Sequence, residues 1–165
     1  MLEEDLVVFL YLPHARGRAG SALGHIKKGE FCQLGWYFGA AFQIQDDILN
    51  LTADYGQYGK EIAGDLWEGK RTLILIHAVK HCSSRERARL RNFLATPRLS
   101  RLRTDVDWVY DLFLRYKSID YARRQARQLA GAALFEALAA FRGIPDSEEK
   151  RFILEMILYV VDRDR

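Results

Sequence analysis

The stretch FQIQDDILN, residues 42–50, places two adjacent aspartates inside an otherwise apolar run. Burying an unpaired carboxylate is costly, so Asp46 and Asp47 should be paired, exposed in a cavity or bound to a cation. On a helix, Gln43, Asp46, Asp47 and Asn50 follow the spacing i, i+3, i+4, i+7 and project from one face. Apolar residues flank this narrow polar stripe, so we expect it to face a cavity between helices. Its carboxylates suit a hard cation such as Mg²⁺, which takes its other ligands from water and substrate phosphates.

A glycine-rich, basic stretch follows, YGKEIAGDLWEGKRT, residues 58–72. It carries Lys60, Asp65, Lys70 and Arg71. Lys70 and Arg71 lie near the start of the next predicted helix, where backbone N–H groups and the helix dipole also favour anions. Carboxylates for a metal and cations for phosphate oxygens together indicate a diphosphate held through Mg²⁺.

The rest of the chain predicts an all-α fold. Only three prolines occur, and the stretches between them are rich in residues that favour helices. Strand patterns and hairpin turns are weak. We expect helices over about 3–12, 30–51, 70–93 and 104–141, and a polar loop over about 52–69. Asp146 or Ser147 is expected to cap a last helix after the Gly143-Ile144-Pro145 stop.

The bulk composition is ordinary for a globular protein. The 165 residues fit one domain over 1–165, with 49% hydrophobic and 28% charged residues. A net charge of +3 is too small to indicate nucleic-acid binding. The basic runs are interleaved with leucine and alanine at helical spacing, so we interpret them as solvated helix faces.

The remaining features favour a cytoplasmic protein. Cys32 and Cys82 are too few for a disulfide framework, and no CxxC motif is present. The acidic N-terminal residues do not have the pattern of a signal peptide. No segment approaches the ~20 apolar residues that a membrane span needs, so we expect no transmembrane segment.

Together, FQIQDDILN and YGKEIAGDLWEGKRT resemble the second aspartate-rich region of trans-isoprenyl diphosphate synthases, the polyprenyl synthetase family. The match includes the FQxxDD core, a glycine-lysine pair after a short gap, the GDLxEGKRT block and the apolar helix that follows. It covers about residues 18–95. The resemblance implies an all-α, isoprenoid-synthase-type helical bundle with a central cavity.

The resemblance also implies a Mg²⁺ site. In this family the first two aspartates of the motif bind the metal, here Asp46 and Asp47. The third acidic position holds Asn50, which offers a neutral oxygen ligand. Asp65 matches an acidic residue of the second metal shell.

Other residues match positions around the substrate. Gln43 matches a residue near the carbocation and the diphosphate. Lys60 and Lys70 match lysines that contact the allylic diphosphate, and Arg71 adjoins Lys70. We therefore assign catalytic roles to Gln43, Asp46, Asp47 and Lys60, and diphosphate binding to Lys60, Lys70 and Arg71.

The implied activity is that of a prenyltransferase. Isopentenyl diphosphate condenses head to tail with an allylic diphosphate, after Mg²⁺ helps to ionise the allylic diphosphate to a carbocation. Members of the family carry a first aspartate-rich motif upstream, and no such cluster exists here besides residues 46–47. The chain therefore looks like the C-terminal half of such an enzyme. We expect exposed apolar surface on the first long helix, over about 30–51, and association of the chain with itself or with a partner.

Two alternatives remain open. In the first alternative the chain is a non-catalytic helical partner subunit or a degenerate relative. The missing first motif and Asn50 favour this alternative. Otherwise it is a terpene cyclase or squalene-type synthase with the same fold, which the GDLWEGKRT block, residues 64–72, argues against.

Overall fold

A computed structural model describes residues 28–52 and 63–162 of the chain, with side chains at all of these positions except 28–30 and 161. Every regular element in these two ranges is helical, which confirms the predicted all-α class. The α-helices are α1 Lys28–Thr52, α2 Gly64–Glu68, α3 Leu73–His81, α4 Ser84–Ala95, α5 Arg103–Arg115, α6 Ser118–Ala140 and α7 Glu148–Asp162. One 3₁₀ turn, Arg98–Ser100, precedes α5.

The helices contribute to two compact units, and α1 and α6 each contribute to both. The first unit includes residues 28–43 and 126–162 among those described. Its core combines large side chains with alanines of α6, which follow one another at three- or four-residue intervals on one face. The core residues are Leu34, Phe38, Ala41, Ala130, Ala133, Ala137, Phe141, Ile157 and Val160.

The second unit includes residues 44–125. Its core is formed by the end of α1 together with α2, α3, α4, α5 and the start of α6. The largest buried side chains are Ile48, Ile74, Leu90, Val109, Leu112 and Phe113. Both aspartates of the opening motif lie in this unit. The prediction of one domain over 1–165 stays a prediction.

The predicted helix over about 70–93 is wrong in its continuity, because the chain breaks into α3 and α4 at Cys82 and Ser83. Ser83 caps α4: its hydroxyl accepts from the backbone N–H of Glu86, whose carboxylate accepts from the backbone N–H of Ser83. This reciprocal pair is a capping box, which starts a new helix in place of continuing the old one.

The predicted helix over about 104–141 is also interrupted. Lys117 adopts a left-handed backbone conformation, with φ of 52°, between the end of α5 and the start of α6. A left-handed residue cannot continue a right-handed α-helix, so the chain changes direction there.

The other predicted boundaries have mixed outcomes. The helix over about 30–51 is confirmed as α1. The predicted loop over about 52–69 contains the short helix α2. Ser147 is confirmed as the cap of α7, because its hydroxyl accepts from the backbone N–H of Lys150 at 3.2 Å. The predicted helix over 3–12 lies outside the described residues.

A histidine pair lies at the end of α3 in the second unit. The His77 ring stacks on His81 and on Tyr121 of α6, with centroid distances of 4.1 and 4.2 Å. The His77 Nδ1 lies 3.0 Å from the hydroxyl of Ser118, which is fully buried. Burial, followed by the positive charges nearby, lowers the pKa of His77. His77 is therefore a packed histidine with both ring faces covered by aromatic neighbours.

The helices within residues 28–52 and 63–162 were compared with the requirements of a membrane span. Among them, none combines the length and the apolar character that a crossing of the bilayer requires.

Glu86 predicts an acid-dependent loss of stability. Hydrogen bonds from the Tyr116 hydroxyl and from Ser83, and then the charge of Arg115, lower the pKa of Glu86 from 4.5 to about 2. A depressed folded-state pKa stabilises the protein above pH ~4.5, and this contribution disappears as the pH falls toward 2. We expect Glu86→Gln to reduce the pH dependence of the thermal unfolding midpoint between pH 6 and pH 3, measured by circular dichroism.

Glu155→Gln, at an exposed position of α7, provides the control and should retain the dependence of the parent chain. Equal slopes for Glu86→Gln and the parent chain would contradict the assignment.

Candidate functional site

The ammonium group of Lys70 lies between two carboxylates of the second unit. Its Nζ donates to Asp47 Oδ1 at 2.8 Å and to Asp65 Oδ2 at 3.1 Å. The Asp47 side chain is 7% exposed and that of Asp65 is 17% exposed, whereas Lys70 is 41% exposed. Burial opposes the charge of Lys70, but the two hydrogen bonds and carboxylate charges outweigh it and raise the pKa of Lys70. The cluster therefore contains two carboxylates and an ammonium that solvent can reach.

Asn50 holds the segment that carries Asp65. Its side-chain Oδ1 accepts from the backbone N–H of Asp65 at 3.0 Å, and its backbone carbonyl accepts from the N–H of Ala63 at 3.0 Å. Ala63 has a left-handed conformation, with φ of 58°, which turns the chain into α2. Because Asn50 lies one turn after Asp47 on α1, the same helix face that presents Asp47 also fixes the start of α2.

A tight turn after α2 delivers Lys70 to the cluster. Gly69 has φ of 69°, a left-handed conformation that glycine adopts without strain, and its N–H bonds to the carbonyl of Leu66 at 3.0 Å. The N–H of Lys70 bonds to the backbone carbonyl of Asp65 at 2.9 Å. Thr72 then caps α3 by accepting from the N–H of Leu75 at 3.3 Å. The backbone between Asp65 and Lys70 is thus fixed at both ends.

The cluster lines a small recess in the surface of the second unit. Apolar residues form the other side of this recess, which gives the charged groups a partly dry environment. The lining residues are Asp47, Leu51, Asp65, Leu66, Lys70, Thr72 and Phe113.

The structure brings together four of the residues that the sequence singled out: Asp47, Asn50, Asp65 and Lys70. Asp46 precedes Asp47 on α1 and is half-buried. Arg71 is exposed at the start of α3. Gln43, three residues before Asp46 on α1, is counted in the first unit. Lys60 lies outside the described residues, and its role stays a prediction.

The carboxylates have the donor chemistry of a magnesium site. Mg²⁺ in proteins is held by one or two carboxylates and keeps several waters or substrate oxygens as its other ligands. Asp47 and Asp65 already converge on one positive charge, that of Lys70. Within the described ranges no group of three or more histidine, cysteine or acidic side chains is placed to hold a metal by itself. The metal roles of Asp46, Asp47, Asn50 and Asp65 stay predictions.

Two residues near the cluster were missed by the sequence interpretation. Thr72 could have been identified, because threonine before an apolar helix is a common N-cap signal. Arg101 could not, because its hydrogen-bond partners are backbone carbonyls 34 and 35 residues earlier in the chain.

Comparisons with known proteins agree with this architecture. Residues 10–113 match the family model described as polyprenyl synthetase. The octaprenyl diphosphate synthase of Haemophilus influenzae is 34% identical over 130 residues, which are 79% of this chain and 37% of that protein. The geranylfarnesyl diphosphate synthase of Aeropyrum pernix is 32% identical over 131 residues, covering 79% of this chain and 39% of the other.

A solved structure shows the same fold. The geranylgeranyl pyrophosphate synthetase of Pyrococcus horikoshii aligns with a TM-score of 0.67 and 31% identity, over 82% of this chain and 39% of that one. The predicted partial isoprenoid-synthase bundle is thereby confirmed as a fold. The chain spans less than two fifths of the length of the two synthases that match it in sequence.

The Asn50 contacts predict a measurable loss of stability in Asn50→Ala. The variant removes the acceptor for the Asp65 N–H, a hydrogen bond worth about 1 kcal/mol. We expect the thermal unfolding midpoint to fall by about 2–4 °C, measured by differential scanning calorimetry.

Asn92→Ala, the same change at an exposed position of α4, corrects for the gain in helix propensity. A midpoint for Asn50→Ala that equals or exceeds that of Asn92→Ala would show that Asn50 does not anchor the start of α2.

Proposed function

Because this chain belongs to the polyprenyl synthetase family, we propose that it functions as part of an isoprenyl diphosphate synthase. The proposed reaction is the Mg²⁺-dependent head-to-tail condensation of isopentenyl diphosphate with an allylic diphosphate. This chain would supply the half-site for Mg²⁺ and the allylic diphosphate. We propose the cytoplasm as its location.

One observation carries the proposal: the Lys70 ammonium is held between Asp47 and Asp65 at the edge of a recess. A diphosphate is a dense negative charge, and it binds where cations and metal-bound carboxylates occur side by side. Lys70 is the exposed member of the cluster, with a flexible four-carbon stem. Its Nζ can therefore exchange a carboxylate partner for a diphosphate oxygen without a change in the backbone.

On the family resemblance we propose that Asp46, Asp47 and Asp65 supply carboxylates for Mg²⁺, one or two to each ion, with Asn50 as a neutral oxygen ligand and water or diphosphate oxygens as the other ligands. Mg²⁺, when bound, supplies the positive charge that stabilises the diphosphate as it leaves the allylic carbon. The Asn50 hydrogen bond to the Asp65 N–H keeps the two carboxylate-bearing segments together. An amide oxygen has two lone pairs, so this bond leaves one for a further contact.

The remaining predicted residues complete the proposed site. Gln43 is proposed to lie near the reacting carbon and the diphosphate. Lys60 and Arg71 are proposed to add positive charge around the diphosphate, and Lys60 is also assigned a catalytic role. For Arg71 the support is its exposure beside Lys70, and for Gln43 and Lys60 it is the family resemblance.

The names of the relatives indicate the chemical class of the substrate, but they do not indicate the chain length of the product. The matched proteins are named for octaprenyl, geranylfarnesyl and geranylgeranyl products, which differ in chain length. The feature shared by these names is a prenyl chain that ends in a diphosphate. We therefore propose prenyl diphosphates as the ligands of this chain.

An alternative is a non-catalytic helical subunit that binds a partner chain or a second copy. Several large apolar side chains of the first unit support it, because exposed apolar groups favour association. These are Phe135, Leu138, Phe152, Leu158 and Tyr159. Such a subunit would bind a catalytic partner and influence the length of the product.

The proposed metal and diphosphate site predicts that the double variant Asp46→Asn with Asp47→Asn loses Mg²⁺-dependent binding of inorganic diphosphate. Both carboxylates lose the negative charge that attracts the metal, so we expect no binding heat by isothermal titration calorimetry in the presence of Mg²⁺. The parent chain should bind under the same conditions.

The matched control is Asp107→Asn with Asp111→Asn, at two exposed acids of α5, which should bind like the parent. Unchanged binding by the Asp46 and Asp47 double variant would overturn the site assignment.

A turnover assay tests whether the chain catalyses the condensation by itself or depends on a partner chain. The purified chain is mixed with Mg²⁺, geranyl or farnesyl diphosphate and labelled isopentenyl diphosphate, and labelled products are separated by chromatography. A synthase predicts label in a longer prenyl diphosphate that is lost in the Asp46 and Asp47 double variant. Diphosphate binding without label supports the partner-dependent subunit and contradicts independent catalysis.

A further inference from the structure

The guanidinium of Arg101 is buried beneath the turn that delivers Lys70. Arg101 is 9% exposed and precedes α5 in the second unit. Its Nη1 donates to the backbone carbonyls of Leu66, at 3.2 Å, and Trp67, which both belong to α2. Its Nη2 donates to the carbonyl of Leu94 at 3.4 Å, near the end of α4. One side chain thus joins α2 to α4.

This arrangement suits the end of a helix. The last carbonyls of a helix lack intrahelical partners and carry the negative end of the helix dipole, so a cation there is favoured. α2 is only five residues long, so these carbonyls are a large part of its backbone. The planar fork of arginine can reach several carbonyls at once, which a lysine ammonium on a single stem does less well.

Arg101 also fills the space next to Gly69. A Cβ atom built on Gly69 would lie 2.6 Å from Arg101 Nη2, a distance that atoms do not tolerate. The guanidinium further packs over the ring of Phe93, 4.8 Å from its centroid. Arg101 Nε is buried without a hydrogen-bond partner within the described part of the chain. An unpartnered buried donor is unfavourable, so the other contacts of Arg101 must outweigh it.

From these contacts we propose that Arg101 is a positioning residue for Lys70 in the diphosphate half-site. Arg101 donates hydrogen bonds to the carbonyls of Leu66 and Trp67 and packs against Gly69. Lys70 follows Gly69 in the chain, so these contacts also restrict the backbone of Lys70. The turn then directs the Lys70 stem toward Asp47 and Asp65. This role rests on the proposed function, because it matters for activity only if Lys70 binds a diphosphate.

A double-mutant cycle tests the role with inorganic diphosphate in the presence of Mg²⁺ and the full chain. Arg101→Lys keeps the positive charge but loses the planar fork of the guanidinium. When Lys70 is present, we expect this variant to raise the dissociation constant for inorganic diphosphate about tenfold. In a Lys70→Gln background, Arg101→Lys should change the constant less than about twofold, because Arg101 acts through Lys70. Equal effects in both backgrounds would overturn the proposal.

Arg103→Lys makes the same change at an exposed arginine two residues later and serves as the matched control. It should bind diphosphate like the parent chain. If Arg101→Lys fails to fold, Arg101→Gln provides the second variant, because its amide keeps an N–H donor for the carbonyls but lacks the guanidinium fork. It should show the same dependence on Lys70.

Amide hydrogen exchange tests the geometry without any ligand. In Arg101→Lys we expect exchange at the Gly69 and Lys70 amides to accelerate at least about fivefold, because both bonds belong to the turn. The Ile76 amide, which bonds to the Thr72 carbonyl in α3, should keep its rate. Equal acceleration at all three amides would indicate general destabilisation and would overturn the positioning role, as would no acceleration at Gly69 and Lys70.

The two measurements separate failure of this proposal from failure of the proposed function. A parent chain that does not bind diphosphate decides against the proposed function. The exchange rates of Gly69 and Lys70 then decide by themselves whether Arg101 fixes the turn.

Discussion

A carboxylate can remain charged at the edge of a protein core only when a positive charge or several hydrogen-bond donors accompany it. Asp47 meets this condition through Lys70, whose ammonium lies 2.8 Å away and which reaches it from a segment 23 residues later in the chain. The ion pair of Asp47 and Lys70 requires that the two segments that carry these residues lie next to each other. The bonds of Asn50 to the start of α2, the turn at Gly69 and the guanidinium of Arg101 keep them together.

Every described residue of this cluster belongs to the second unit, residues 44–125. That unit has its own apolar core, which includes Ile48 on α1 and Leu66 on α2. The two helices that present Asp47 and Asp65 are therefore anchored by apolar burial close to the charged groups. Because charged side chains at a rigid site lose less conformational freedom on binding, this anchoring favours ligand binding by the proposed half-site.

The sequence predicted the parts of the site that are local in the chain. Asp47 and Asn50 are three residues apart on one helix, so their common face follows from the helical period. The S-x-x-E pattern of Ser83 and Glu86 is also local, because it is the sequence signature of a capping box. It predicts that a new helix begins after Ser83, within the range 70–93. Lys117 gives no such signal, because lysine rarely adopts a left-handed conformation. Arg101 was unpredictable for another reason: it binds carbonyls, which every residue has.

Asn50 explains why one position can depart from the acidic pattern of the family without loss of the local structure. The position must accept a hydrogen bond from the Asp65 N–H, and an amide oxygen does this as well as a carboxylate oxygen does. An aspartate there would add a fourth negative charge beside Asp46, Asp47 and Asp65, where Lys70 is the cation seen to pair with two of them. Like charges at this spacing repel, and the repulsion is larger where burial reduces the screening by water. Asparagine therefore keeps the anchor between α1 and α2 and spares the folded chain that repulsion, at the expense of one charged ligand for the proposed metal.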